Sequence, residues 1–211
     1  MSLADRLVLS QWLSPAFPVG GFAYSQGLEW AIARDEVATP AALTAWLRDT
    51  LCHGAGRNDA ILLCLAMRAA LPEEELDDLA RALAPSRERL EEAEAQGTAF
   101  VAAAAGLGIA MASAPYPVAV GRAARGLGLP ADEVAALWLQ AQLTNLVQIA
   151  VRLVPLGQSG GQAALAALQA PILDMACEAA SAGPEALGGA AFRADLAAMQ
   201  HETMEIRLCR T

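Results

Sequence analysis

An all-α fold is what this sequence predicts, on three observations. Hydrophobic residues make up 55% of the 211 and aromatics only 5%, and most of the apolar share is Ala and Leu, both strong helix formers. Helix-start chemistry recurs along the chain: Thr39 before Pro40, Pro72 before Glu73, Pro85 before Ser86, and Pro130. No run of alternating polarity is long enough to demand a sheet. The expectation is one compact all-helical domain over residues 1–211 with roughly ten helices and no internal repeat.

Taken in order, Ser2 and Asp5 open a first helix, with Leu3, Leu7 and Trp12 expected near one face. The loop of residues 14–23 ends it, and a second helix is expected from about Ser25. From Thr39, the stripe Leu43, Trp46, Leu47 and Leu51 runs to Gly54 and Gly56, then resumes through Ile61, Leu62 and Leu65. Pro72 places three carboxylates at the positive end of the next helix. The helix from Ser86 has a charged first half, where Glu88, Glu91, Glu92 and Glu94 read as a solvated face. Its apolar second half, around Phe100 to Ala105, reads as core. The stretch with Pro115 and Pro117 reads as a connector, and Pro130 opens the longest helical pattern, through Trp138 and Ile149 to Pro155. Short helices are expected near Ser159–Leu168 and Pro171–Ala180. A last amphipathic helix places Phe192, Leu196, Met199 and Thr203 on one stripe. The tail 205–211 has no core pattern and is expected to be mobile. Trp12, Trp30, Trp46 and Trp138 are expected in the core.

Composition excludes several functions. Net charge is −9, which argues against nucleic acid as a partner. All 14 basic residues are Arg. Without Lys there is no Walker A phosphate loop and no Schiff-base chemistry. Cys52, Cys64, Cys177 and Cys209 show no CxxC spacing, and no signal peptide is visible, so a reduced cytoplasmic setting is expected. The longest apolar run, Ala99 to Ala112, is too short to span a bilayer, so no membrane role is expected.

Two motifs carry candidate chemistry. Gly157-Gln158-Ser159-Gly160-Gly161 matches the G-x-S-x-G elbow, and Asp195 and His201 follow in hydrolase order. The segment before Ser159 continues a helical pattern, however, so Ser159 with Gln162 reads better as a helix cap. His201 and Glu205 are spaced for one helix face, but Glu205 stands where a second metal-ligating His would be needed. Adjacent Cys52 and His53 read as a buried thiol beside a helix-end His. No cofactor or dedicated metal site is expected.

The loop of residues 14–30, SPAFPVGGFAYSQGLEW, is the most distinctive segment. It is rich in Pro, Gly and aromatics and has no catalytic group, which points to binding. Together with VRLVPLGQSGGQ (151–162), FRADLAAMQHETMEIRLCRT (192–211) and the YPVAVG segment (116–121), it resembles the urease accessory protein F family, UreF, over essentially the whole chain. Pro15, Pro18, Gly20, Tyr24, Ser25, Gly27, Leu28 and Glu29 match the first motif. Pro155, Leu156, Gly157, Gln158, Gly161 and Gln162 match the second, and His201, Glu202, Arg207 and Leu208 the third. The tail departs from the family pattern in having Glu205 and Cys209 where aromatics are frequent, and Arg152 replaces a frequent Lys.

The resemblance implies a helical homodimer without catalysis of its own. It also implies an adaptor that bridges UreD (UreH) and the GTPase UreG while nickel is placed in apo-urease. Phe22, Tyr24, Glu29, His201, Glu202, Arg207 and Arg210 are then expected to bind partners, and Pro15, Pro18, Gly20, Gly157, Gln158 and Gly161 to shape the motifs. A serine hydrolase using Ser159 and a nickel-binding metallochaperone are the competing readings.

Overall fold

The computed structural model describes residues 2–211. Eleven α-helices follow one another: α1 (Leu3–Trp12), α2 (Leu28–Ala33), α3 (Pro40–His53), α4 (Ala55–Arg68), α5 (Glu73–Ala82), α6 (Arg87–Ala105), α7 (Tyr116–Ala124), α8 (Ala131–Leu153), α9 (Gly157–Ala167), α10 (Gln169–Ser181) and α11 (Phe192–His201). Two 3-10 turns, Gly21–Ala23 and Pro184–Ala186, complete the order, and there is no strand among the described residues. The predicted all-α class is therefore observed.

The centre is built from α4 and α7. Every residue of α7 is buried, as is the whole Ala60–Ala66 stretch of α4. The YPVAVG segment is thus a core helix and not a connector. Pro115 caps it and Pro117 lies in its first turn, where a missing N–H leaves no bond unmade. Small residues set the packing distance. A Cβ on Gly121 would fall 2.3 Å from the Leu63 carbonyl oxygen, and one on Gly97 of α6 would fall 1.9 Å from that of Ala114. The aromatic core runs as a chain from Trp12 to Phe100, Tyr116 and Trp138, with ring centroids 5.9–6.3 Å apart. Trp46 is also buried, whereas Trp30 is only half-buried.

α8 is long and apolar enough to cross a bilayer by length and composition alone. Half of its apolar window is buried inside the fold, where it packs on α4, α9 and α10.

Three helix faces differ from the sequence reading. In α1, Leu9 and Trp12 are buried, but Leu3 and Leu7 are 70% and 65% exposed. Nine residues separate Leu3 from Trp12, and two and a half helical turns place them on opposite sides. In α6 the charged half is not a solvated face: Glu88, Arg89 and Glu92 are buried, while Glu91 is exposed. In α11 the large apolar residues face out and Ala194, Ala197 and Ala198 face in. A close crossing with α2 leaves room only for small side chains there.

The Gly121 contact gives a stability prediction. Gly121→Ala forces α4 and α7 apart and should cost about 1–3 kcal/mol, as overpacking does. Thermal unfolding followed by circular dichroism should show a melting point lower by roughly 2–12 °C.

Candidate functional site

The first and third sequence motifs meet around one buried carboxylate. Glu29, in the first turn of α2, is 6% exposed. Its Oε1 accepts the Leu208 amide at 2.7 Å and its Oε2 the Cys209 amide at 2.8 Å. The same Oε2 lies 3.2 Å from Nε2 of His201, a ring with no exposed surface. On the other side, Nδ1 of His201 lies 2.8 Å from Oε2 of Glu88, whose Oε1 accepts from Arg207 at 2.5 Å. Burial pushes the Glu29 carboxyl up, but the two amides and His201 outweigh it and hold it below the usual range. By linkage, a depressed carboxyl adds stability above its unfolded value. That stability is lost as pH falls through the folded one.

Further bonds fasten the tail to the loop of residues 14–30. The Arg210 amide donates to the Ala23 carbonyl at 2.7 Å. Both the amide and the hydroxyl of Ser25 donate to the Thr211 carbonyl. The Gln26 amide donates to Oγ1 of Thr211, which donates in turn to buried Glu92 at 3.0 Å. Arg210 lies over the Tyr24 ring and reaches its hydroxyl at 3.3 Å. Glu202 accepts from the amides of Arg87 and Glu88, so a carboxylate caps the positive end of α6. The mobility expected of residues 205–211 rested on their missing apolar pattern. In the structure they are held by main-chain bonds, which such a pattern does not report.

The loop is shaped for this contact. The expected helix start at Ser25 falls instead at Leu28, because Ser25 and Gln26 bond the tail and Ser25 Oγ accepts from the Glu29 amide. Gly27 has φ +81°, and a Cβ there would fall 2.5 Å from the Ala198 nitrogen of α11. Both the left-handed backbone and the close crossing require glycine. Gly20, also left-handed, precedes the 3-10 turn, and Arg152 of α8 donates to the Phe22 carbonyl.

The other named positions divide by burial. Tyr24, Glu29 and His201 are buried, Glu202 is half-buried, and Phe22, Arg207 and Arg210 are exposed. Pro15, Pro18 and Gln158 are exposed. Gly157 is left-handed at the start of α9, and Gly161 packs tightly on Val147 and Val151. Sequence reading did not single out Glu88, Glu92 or Thr211 as members of this site. The only signal was a cluster of acids in one helix, which looks the same when solvated.

The competing motifs come apart. Ser159 lies inside α9, exposed and preceded by helix and turn, and it is not the cap; Leu156 takes that place. Both ring nitrogens of His201 are engaged by Glu29 and Glu88, so it has none to offer a serine. α11 ends at His201, so Glu205 is not on its helix face. Among the described residues no group of three His, Cys, Asp or Glu is placed to hold a metal ion.

Glu29→Ala strands two amides and one face of His201. Bonds to a charged group are worth about 1.5–3 kcal/mol each. The variant should lose hydrogen-exchange protection at residues 206–211 while α4 and α7 keep theirs, as read by mass spectrometry.

The UreF family model matches residues 37–169. The chain is 58% identical over 209 residues to a urease accessory protein UreF of Cereibacter sphaeroides, covering 99% of each. It is 54% identical to that of Paracoccus denitrificans, over 99% of this chain and 97% of the relative. It is 50% identical to that of Dinoroseobacter shibae, over 99% and 100%. With the match running through the loop, the central motif and the tail that closes on Glu29, this chain belongs to the UreF family of urease accessory proteins.

Proposed function

We propose that this chain is a non-catalytic adaptor of urease maturation. It bridges the accessory protein UreD (UreH) and the GTPase UreG during GTP-dependent placement of nickel in apo-urease. It acts as a homodimer in the cytoplasm. Nucleotide chemistry belongs to the partner, in keeping with a chain that has no Lys.

One observation carries the reading. α11 presents Phe192, Leu196 and Met199 to solvent at 77%, 56% and 47% exposure, and the tail adds Ile206 and Leu208 at 82% and 78%. Polar contacts hold the tail from within, so its apolar side chains are turned outward. A rim of Arg193, Arg207 and Arg210 accompanies them. Apolar surface with a charged rim fits docking onto a different protein. Phe22, 66% exposed on the loop of residues 14–30, supplies a second contact, and Tyr24, Glu29, His201 and Glu202 act beneath the surface by holding it in shape.

A second face suits another copy of this chain. Leu7 lines an open groove of about 770 Å³ together with Ser10, Gln11, Phe17, Ala103 and Leu107 among others, with no ionisable residue, and exposed Leu3 lies one turn earlier in α1. Two copies that each carry −9 repel unless they meet on uncharged surface. A ridge and a groove on one face also allow a two-fold contact.

Co-expression with cognate UreD and UreG tests the bridge. Leu196→Asp should lower co-purified partner at least tenfold (about 1.4 kcal/mol) with an unchanged melting point. Full recovery of the ternary complex by this variant would remove the α11 face from the reading, and failure of the unaltered chain to recover UreD or UreG would remove the adaptor role.

The groove has its own measurement. Leu7→Glu should shift the isolated protein from dimer to monomer in light scattering while leaving its helix content intact.

A further inference from the structure

We infer that residues 203–211 form a strap whose closure requires one proton shared among His201, Glu29 and Glu88. The strap would therefore close at neutral and mildly acid pH and open in alkali.

The argument starts from donor counting. Each ring nitrogen of His201 faces a carboxylate oxygen, Nε2 that of Glu29 at 3.2 Å and Nδ1 that of Glu88 at 2.8 Å. A neutral imidazole has only one N–H. If both carboxylates are ionised as well, one bare ring nitrogen points at a bare oxygen. None of the three groups can turn to water, because His201 is fully buried and Glu29 and Glu88 are 6% and 5% exposed. One further proton, on the ring or on a carboxylate, repairs the contact.

The strap hangs on the same two carboxylates. Glu29 takes the Leu208 and Cys209 amides and Glu88 takes Arg207, so repulsion at His201 acts directly on residues 207–209. The closed form holds one proton more than the open form at alkaline pH. Linkage then makes opening more favourable by about tenfold for each pH unit over which the open form has lost this proton and the closed form still holds it.

No other group that titrates in this range contacts the His201 ring or Arg207 directly. From α2 only Glu29 faces the ring. α6 offers Glu88, with Arg87 paired to Glu202 of the α11 end, and Arg89 paired to Glu92. The tail offers Arg207 and Cys209. Burial beside Glu29 pushes the Cys209 thiol up to about 11, so it stays neutral in the range concerned. Asp59 of α4 is pushed up to about 7 by burial, opposed by Arg89. It touches the strap only through Arg89 and Glu92.

Trypsin reads the strap, because cleavage after Arg207 needs it open. Wild-type protein, cleaved alongside a free peptide of residues 203–211 as rate standard, should lose residues 208–211 at least tenfold faster at about pH 9 than at about pH 6.5. Cleavage after buried Arg89 and Arg122 should stay slow at both. In Glu88→Gln the side-chain amide donates to Nδ1 and replaces the proton, while its carbonyl oxygen still accepts from Arg207. Cleavage after Arg207 should then be slow and independent of pH. His201→Gln carries no titrating ring and should also be independent of pH, whatever its absolute rate. A flat wild-type profile overturns the inference, as does a Glu88→Gln profile that rises like the wild type. So does release that occurs only together with cleavage at Arg89.

Discussion

A buried carboxylate must be paired, and Glu29 is paired mostly by the far end of the chain. Two tail amides and His201 supply its partners, and no neighbour in its own helix does. An uncompensated charge in that position would cost several kcal/mol, so the loop, α11 and the tail form as one unit. The position of His201 then draws in Glu88, and with it the buried charged half of α6. Much of the polar interior follows from this one requirement.

The same requirement determines which side of the tail faces out. Main-chain amides turn inward to reach Glu29, so Ile206 and Leu208 turn outward. α11 is likewise inverted, because Gly27 and Ala198 let α2 and α11 approach closely and only alanines fit between them. The exposed apolar surface of α11 and the tail is thus a by-product of close internal packing.

Much of the architecture was legible in the chain. Thr39-Pro40, Ser86 and Pro130 each mark a helix start, and Gly54 marks the break between α3 and α4. Proline misled at Pro115 and Pro117, where first-turn prolines resemble a connector until the helix behind them is seen to be buried. For the site, the motifs identified Glu29, His201 and Arg207, but the sequence did not link them to Glu88, Glu92 or Thr211. Acidic residues spaced along a helix look alike whether they meet water or a buried histidine.

By itself, the sequence determined the all-α class, most helices to within a few residues, the absence of lysine chemistry and the family. These depend on local propensity, capping and composition, which are properties of short segments. Tertiary structure decided which face of α1 and α11 is buried, that the tail is held, and that His201 bridges two carboxylates. Each of these depends on residues far apart in the chain meeting in space, and the hold on the tail depends also on hydrogen bonds from main-chain amides that every sequence carries alike.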